Sequence, residues 1–471
     1  MPRISATLSG IERTLLARLA DANSATAQSV ARAAAGVRIL RPRDDPSGYF
    51  AVATQQARLN AVNVAASNTA VAAAIGSGAQ STVDQIRVQL NTIRAKVVED
   101  EDGSLTADER AANQTAIDDA VAEVRRLVGT PVEGRKLFDG SSDYRVGGRN
   151  NDQVRAVEVY SRGATTSLEG HVINDATRAA LTYNGSAGNI GSGDATFTVG
   201  GKRGSASFSV TDGQSLESVA AAVSAESHNT GVTASVAGSA LNFVSVDYGS
   251  NADVRIAATT GTFAPTGGDG NGTGYGTDAE LTINNRSVIA DGNRATYIEG
   301  GTHVSIELTA GFTGALDDIA LADGGKLTFA LSPDLASTVS LALPSLAPEL
   351  LGGPSGTLAD LTTGGAVGGL AANTSQAIRI VDEALGDLDR VSGRVDGFND
   401  AAVASSSSLL AAWKTDLEDS IQEINGVNDA EEVQLQAHHL ALADNALAGL
   451  AILQQQRSGI IEILRQAAGL S

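Results

Sequence analysis

A helical pattern that runs from residue 46 to residue 99 constrains the fold of this chain more than any other feature. Asp45 and Pro46 mark its start, because an Asp N-cap followed by Pro at the first helical position favours helix initiation. At about 1.5 Å per residue such a helix would be roughly 80 Å long, and few globular cores could cover it. Its apolar residues follow the three–four spacing of a helix that packs along a partner helix. They are Val83, Ile86, Leu90, Ile93 and Val97.

The C-terminal part of the chain offers that partner. A stripe of apolar residues begins at Val381 and continues to Ile424 with helical spacing. We therefore predict a multidomain α + β fold in which both chain ends form a long antiparallel coiled-coil-like helical rod. A β-rich central insert of one or two small domains would emerge from the tip of this rod. On the C-terminal side, we assign to the rod core Val381, Leu385, Leu388, Val395, Trp413 and Leu417.

Each end of the chain also carries a narrower apolar stripe. The N-terminal stripe comprises Ile4, Leu8, Ile11, Leu15 and Leu19. The C-terminal stripe comprises Leu440, Leu447, Leu450, Leu453, Ile460 and Leu464. A lone stripe of this width buries too little surface to offset the entropy lost on ordering, so we expect these residues to form a polymerisation interface with copies of the same chain. An ordinary intramolecular core is the alternative, and the residue pattern leaves it open.

A short charged segment links the two N-terminal helices. Pro42 excludes helix around it, so the segment from Gly36 onward is predicted to be an extended connector. These charges fit either a solvated linker with a helix cap or an ion-pair switch between subunits, and both interpretations stay open. A metal site is disfavoured, because the two adjacent aspartates have no third ligand nearby. The charged residues are Arg38, Arg41, Arg43, Asp44 and Asp45.

The middle of the chain has a different composition. Residues 165–371 are rich in Gly, Thr and Ser, and short alternating segments predict strands. Within them, residues 195–246 predict a strand–strand–helix–strand–strand unit. A Gly-rich stretch at 267–276, which we expect to be a flexible joint, precedes a second strand-rich piece. Residues 165–371 contain 7 Lys+Arg and 20 Asp+Glu, so most of the chain's formal net charge of −21 lies here.

The sequence divides into six expected segments. The first is the N-terminal terminal helix with its connector (1–45), and the last is the C-terminal terminal helix (429–471). The segments between them are the N-terminal rod helices with a β-hairpin (46–164), the central insert with its strand–strand–helix–strand–strand unit (165–275), the second β-rich piece (276–371) and the C-terminal rod helix (372–428).

Composition excludes several classes of function. A net charge of −21 argues against partners such as nucleic acid or an anionic membrane surface. The absence of Cys excludes disulfides, thiolate metal sites and Cys nucleophiles. No apolar stretch reaches the roughly 18–20 residues of a membrane span, and Met1 is not followed by the continuous apolar segment of a cleaved signal. The five His form no H-E-x-x-H motif, and no phosphate-binding loop or nucleophile elbow is present, so we expect no enzyme, metal or cofactor.

Two N-terminal motifs resemble those of bacterial flagellin. The sequence A-G-V-R-I-L-R-P-R-D-D-P-S-G at residues 35–48 resembles the family's G-L-R-I-N…D-D-A-A-G connector. The sequence V-E-G-R-K-L-F-D-G at residues 132–140 resembles its F-N-G-x-K-L-L-x-G turn. Residues 193–257 are also similar to an insert common in the central part of flagellins and of the filament cap protein.

Two C-terminal motifs extend this resemblance. The sequence I-N-G-V-N-D-A-E-E at residues 424–432 resembles I-x-D-A-D-x-A-x-E. The closing L-A-I-L-Q-Q-Q-R-S-G-I-I-E-I-L at residues 450–464 matches the family's A-Q-A-N-Q…V-L-S-L-L in apolar pattern. The order of all these motifs and their distances from the termini make the combination specific.

The resemblance implies a structural subunit that self-assembles into the flagellar filament for swimming motility. It implies that the terminal segments 1–45 and 429–471 form an inner tube and fold as subunits stack. It also implies export out of the cell, a homopolymer, and contacts with hook-associated junction and cap proteins and an export chaperone. A hook–filament junction protein is an alternative, because the R-I-S start, the D-D-P triplet and residues 102–110 look like that relative. A surface adhesin acting through the central domain is another.

Overall fold

A computed structural model describes residues 10–100, 104–334, 337–367, 370 and 373–467 of the chain. These residues divide into two compact units. The terminal unit falls within Met1–Asn68, Leu331–Ala336 and Ser406–Ser471. The central unit comprises Thr69–Ala330 and Ser337–Ser405.

Long helices lie at both ends of the chain, as predicted. The helices are α1 Gly10–Ala35, α2 Pro46–Val98, α3 Ala107–Gly129, α4 Leu216–Ala225, α5 Ser227–Thr230, α6 Thr374–Gly397, α7 Ser405–Asn425 and α8 Asp429–Ala467. A 3₁₀ turn spans Leu358–Leu361, and a π-helical segment, Phe398–Ala404, joins α6 to α7.

Short strands fill the middle of the chain. They are β1 Pro131–Val132, β2 Arg135–Lys136, β3 Arg145–Gly147, β4 Val154–Arg162, β5 Ser167–Leu168, β6 Gly170–Asn174, β7 Arg178–Asn184, β8 Ala195–Gly201, β9 Gly204–Val210, β10 Val232–Ala237, β11 Ala240–Tyr248, β12 Asp253–Thr260, β13 Thr273–Tyr275, β14 Glu280–Ile283, β15 Arg286–Asp291, β16 Arg294–Glu299, β17 Thr302–Leu308, β18 Gly314–Ala315, β19 Ile319–Ala322, β20 Leu327–Phe329, β21 Val339–Leu341, β22 Gly352–Gly353 and β23 Gly356–Thr357.

In the central unit, α2 and α6 pack as an antiparallel rod. Arg94 Nε donates to Asp382 Oδ1 at 2.8 Å, and about two helical turns back along α2 the Arg87 guanidinium pairs with Asp389. The residue number on α6 rises from 382 to 389 as the residue number on α2 falls from 94 to 87, so the two helices run antiparallel. The predicted rod-core residues of these two helices are apolar and lie inside: Leu385 is half-buried, and the completely buried ones are Val83, Ile86, Leu90, Ile93, Val97, Val381, Leu388 and Val395.

Helix α3 begins and ends where local chemistry dictates. Thr106 and Glu109 form a capping box at its start, so two backbone N–H groups at this helix end are satisfied. Its buried stripe comprises Ile117, Val121, Val124 and Val128, as the periodicity indicates. The following turn of the β1–β2 hairpin places Glu133 at φ 48° and Gly134 at φ 75°, a left-handed pair that reverses the chain tightly.

The β-rich centre forms two domains, one nested in the other. The enclosing β domain contains a seven-stranded antiparallel sheet of order β18-β6-β14-β15-β16-β17-β4 and a three-stranded sheet of order β3-β19-β5. The nested β domain runs from β7 to β13 and contains a four-stranded sheet, β13-β12-β8-β9, and a three-stranded sheet, β10-β11-β7. Its core includes Phe263 stacked on both Phe197 and Tyr183, with centroid distances of 3.8 and 4.2 Å.

Two expectations about this region are wrong. The boundary expected between residues 164 and 165 cuts through the enclosing β domain, because β4 pairs with β17 and β6 pairs with β14. Such pairing is hard to recognise in the sequence, because the nested domain separates the paired strands by more than a hundred residues. The Gly-rich stretch at 267–276 is not a flexible joint: it contains β13, which pairs with β12, and Asp269 Oδ1 accepts the backbone N–H groups of Asn271 and Thr273 at 2.8 and 3.0 Å.

Candidate assembly surface

Helices α1 and α8 lie antiparallel in the terminal unit and approach closely. Glu12 pairs with Arg457 at 3.7 Å near one end, and Arg32 Nε donates to Glu432 Oε1 at 2.6 Å near the other. Between them, a Cβ placed on Gly449 would lie 3.2 Å from Leu15 Cδ1, so a glycine allows the two backbones to pack tightly here. Small residues dominate the buried positions of this helix pair: Ala22, Ala443 and Ala446.

Glu432 anchors the end of this helix pair where α8 begins. Its side chain is buried, and it accepts hydrogen bonds from both Arg32 and Ser29. The hydrogen bond from Arg32 holds the pKa of Glu432 below its usual value, against the effect of burial. The carboxylate is therefore charged and paired, which fixes the register of α8 on α1.

The predicted polymerisation residues lie mostly on the outside of this pair. Ile4 and Leu8 are outside the described residues. Leu15, Leu19, Leu450 and Leu453 are half-buried between the helices. The remaining predicted residues have more than half of their surface exposed: Ile11, Leu440, Leu447, Ile460 and Leu464.

The last turns of α8 expose apolar side chains that a single stripe did not predict. Ile461 and Ile463 are 49% and 67% exposed and lie between the predicted Ile460 and Leu464. Ile452 is exposed as well. A helix with apolar residues all around it needs cover on more than one side. The arrangement therefore offers contact surface beyond what α1 occupies.

The connector docks on the junction between α7 and α8. Gly36 takes a φ of 68° at the end of α1 and turns the chain towards that junction. Arg38 N donates to Asn425 O at 2.8 Å, and Ile39 N donates to Asn425 Oδ1 at 2.6 Å. The Arg38 side chain also donates to the carbonyl of Ile424 at 2.9 Å. The sequence gives only a weak signal for the role of Asn425, which is the Asn-Gly pair at residues 425–426.

The predicted charged residues of the connector serve mainly local structure. Asp45 Oδ1 accepts the Gly48 backbone N–H at 2.9 Å and so caps α2. This hydrogen bond, with others from Ser47 and Arg38, lowers the pKa of Asp45. Asp44 Oδ2 accepts the backbone N–H of Arg41 at 2.8 Å and closes the turn. Arg41 and Arg43 are exposed. The helix-cap interpretation fits these contacts, and the ion-pair switch stays a prediction.

One predicted rod-core residue needs correction. Trp413 on α7 is 39% exposed. In the terminal unit α7 packs on α2 through Leu410, with Leu417 alongside, against Val62 and Ala65. Trp413 is not part of this buried cluster, whose members on α2 are the small or medium-sized side chains of Val62 and Ala65.

A charged cluster that the sequence did not predict joins α6 to the enclosing β domain. Glu158 on β4 lies 3.2 Å from Arg294 on β16 and 3.6 Å from Arg390 on α6. Burial acts to raise the pKa of Glu158, but these two guanidinium groups outweigh it and the pKa is lowered. Burial does raise the pKa of Asp387, which lines the same cleft of about 670 Å³. The cluster holds the sheet against the rod helix.

Two kinds of site find no support among the described residues. Within the ranges described above, no group of three or more His, Cys, Asp or Glu side chains is placed to hold a metal ion. No helix in that part of the chain combines the length and apolarity needed to cross a bilayer.

Two family models match the chain. Residues 10–143 match the bacterial flagellin N-terminal helical region, which here comprises α1, the connector, α2, α3 and the β1–β2 hairpin. Residues 196–247 match the flagellin hook IN motif, which here comprises strands β8 to β11 with α4 and α5 between them. These two matches support a flagellin-family protein. The predicted resemblance of the N-terminal end and of the central insert to flagellin is therefore confirmed.

Solved structures with some likeness to this flagellin-family chain are also flagellar. The flagellar cap protein FliD D2-D3 domains from Escherichia coli are 15% identical, with 39% of this chain and 99% of that chain covered and a TM-score of 0.29. FlgL from Xanthomonas campestris is 13% identical, with 78% and 99% covered and a TM-score of 0.28. These TM-scores are too low to define the fold. No curated protein sequence matches the chain.

Membership of the family fixes the class of function. Flagellins are structural rather than enzymatic proteins, and the two family matches support a structural subunit of the flagellar filament. The long terminal helices with a β-rich centre fit such a subunit.

Proposed function

We propose that this chain polymerises through its terminal unit into the extracellular flagellar filament used for swimming. The observation that carries this proposal is the exposed apolar surface of α8 between Ile452 and Leu464. Each large aliphatic side chain that moves from water into a contact contributes about 1.5–3 kcal/mol. A repeated contact of several such residues offsets the cost of ordering the terminal helices.

The geometry of assembly follows from the kind of surface involved. Exposed apolar residues occur on both α1 and α8, so one subunit's surface meets a different surface of the next subunit. Such head-to-tail contacts build open helical polymers when the rotation between subunits does not close a ring. The acidic central domains would face solvent and keep neighbouring filaments apart.

The further partners rest on the family resemblance. They are the hook-associated junction protein at the base, the cap protein at the tip and a chaperone before export. We also propose that the chain has no enzymatic activity and binds neither nucleic acid nor membrane. The filament function predicts very many copies per cell, whereas a junction protein would be present in about a single ring. Quantifying the protein in sheared filaments distinguishes the two.

Seeded polymerisation of the purified chain tests the assembly surface. Electron microscopy should show long tubes for the unchanged chain and none, or a much higher critical concentration, for I460D/L464D. The matched control is I289D/I298D, which places two charges at isoleucines that are 87% and 69% exposed on the enclosing β domain. Tubes from the α8 variant as readily as from the control would contradict the proposal.

A further inference from the structure

The rod contains an uninterrupted seven-residue repeat on α2. Within the central unit, buried residues recur at this interval along one line of the helix: Thr69, Gly76, Val83, Leu90 and Val97. A second line at the same interval comprises Ala72, Ala79, Ile86 and Ile93, each completely buried. A strict repeat of seven keeps one face of a helix turned towards its partner. Gly76 is the one member of the first line without a side chain.

The partner of α2 is the C-terminal helical stretch that runs from α6 through the π-helical segment into α7. Its repeat of buried residues contains one residue more than an interval of seven allows. Val381, Leu388 and Val395 follow one another at intervals of seven, and Val403 and Leu410 do so further along. The interval from Val395 to Val403 is eight. In a regular α-helix the extra residue would rotate everything beyond it by about 100°. The buried residues before and after it could not then lie on the same face.

The π-helical segment Phe398–Ala404 lies within this interval. Phe398 N still donates to both Arg394 O and Val395 O, and the wider turn follows. A π turn bonds residue i to i+5 rather than i+4, so it accommodates an additional residue without breaking the helix. Val395, Phe398 and Val403 are all buried, which shows that the buried face continues through the segment.

Asn399 of this segment meets α2 at Gly76. A Cβ placed on Gly76 would overlap Asn399 Oδ1 and lie 2.9 Å from its Cγ. Asn399 is half-buried there. The bulge on one helix therefore lies opposite the missing side chain on the other.

We infer that Phe398–Ala404 and Gly76 together form a register-adjusting device of the rod. The π turn stores the one residue by which the C-terminal repeat exceeds seven, and Gly76 forms the notch that receives its Asn399. The device fixes the position along α2 opposite which the C-terminal repeat is interrupted. It concerns the rod of the single chain and does not depend on polymerisation.

Single-residue deletions in the full chain test the stored residue. Deletion of Ala401 restores an interval of seven from Val395 to the next buried valine, so the rod should unfold cooperatively within a few degrees of the parent in circular dichroism. Deletion of Gly386, whose Cβ position has no neighbour within 4 Å, is the matched control in regular helix. It turns Val381 out of phase with Leu388 and should lower the midpoint far more. Equal damage from the two deletions would overturn the inference.

Substitutions at the notch provide a second test that needs no deletion. Gly76→Ala should lower the unfolding midpoint although Ala favours helix more than Gly does. N399A should restore most of that loss in the double variant, because it removes the overlapping amide. Gly393→Ala, also in the rod and without a neighbour within 4 Å, should leave the midpoint unchanged or raise it. Strictly additive effects at the two positions would contradict the notch.

Discussion

At the scale of single residues, buried polar groups in the terminal unit decide how the helices dock. Glu432 is a buried carboxylate and is stable there because Arg32 and Ser29 both donate to it. Removing one partner of such a group leaves the other unsatisfied, which costs more than the contact contributes. Its neighbour Glu431 lies in the same helical turn but is exposed.

The contrast between buried Glu432 and exposed Glu431 predicts that the stability of the α1–α8 pair depends on pH through Glu432. The pKa of Glu432 is lowered, so its stabilising effect is present above the ordinary glutamate pKa of about 4.3 and is lost as the pH falls through the lowered value. E432Q should melt at a lower temperature than the parent at neutral pH, and this difference should shrink in acid. E431Q removes the same charge from the same turn and serves as control in thermal melts of the assembled polymer, in which the terminal helices are expected to be ordered. If both variants behave alike across this pH range, the pairing of Glu432 does not stabilise the helix pair.

Asn425 carries a second prediction at this scale. N425A removes the acceptor of the buried Ile39 backbone N–H, which costs about 1–3 kcal/mol of local stability. The connector should then open more often, and trypsin should cleave after Arg43 about fivefold faster or more. N425D keeps an acceptor oxygen at the same place and should cleave near the parent rate. Rapid cleavage of both variants would show that the side-chain acceptor is not what holds the connector.

At the scale of elements, the rod of the central unit depends on burial along one face of α2. Leu90 is completely buried on that face, whereas Val88 is 60% exposed two residues away. The ion pairs of Arg87 and Arg94 connect α2 to α6 and are consistent with the antiparallel orientation of the two helices. Exposed ion pairs of this kind add little stability. Packing therefore provides most of the stability of this element.

A pair of truncations measures this difference. Leu90→Ala should lower the free energy of unfolding by about 2–5 kcal/mol, because it leaves a cavity in the helix interface. Val88→Ala should change it by no more than about 0.5 kcal/mol, since an exposed valine loses little and Ala favours helix. Denaturant titration followed by circular dichroism gives both values. Similar losses would mean that the face buried in the single chain is not the stabilising one.

At the scale of the whole molecule, stability is expected to differ between the two units. The central unit has continuous apolar cores in its rod and in both β domains. The terminal unit has few buried large side chains and many exposed ones. Regions with few buried apolar contacts open at low free-energy cost.

Hydrogen exchange of the full chain tests this expectation. Amides of α1 and α8 should exchange rapidly in the free chain, whereas those around Leu90 on α2 and Phe197 on β8 should be protected. In the polymer, α1 and α8 should become protected while the nested β domain changes little. Terminal helices that are already protected in the monomer would contradict coupled folding and assembly, and so would terminal helices that stay unprotected in tubes.

Much of this architecture could be predicted because it depends on local periodicity. The bounds of α2, the apolar face of Val83 to Val97 and the strand–strand–helix–strand–strand unit all follow from residues close together in sequence. The charged connector could be recognised from the sequence, but its docking site could not. The connector's backbone N–H groups donate to Asn425, which lies far along the chain. The π turn could not be predicted from the sequence either. An interval of eight in a long apolar stripe is informative only when Gly76 is known to lie opposite it.

The sequence by itself determined which segments are helices and strands, which faces are apolar and to which family the chain belongs. These properties follow from side-chain spacing and backbone preference, which act over a few residues. Only the tertiary structure decided that β4 and β6 join β17 and β14 across the nested domain, that Trp413 lies outside the core and that Glu158 links the sheet to α6. Those contacts join residues more than a hundred positions apart, or depend on the size of the side chains opposite, and no local pattern specifies either.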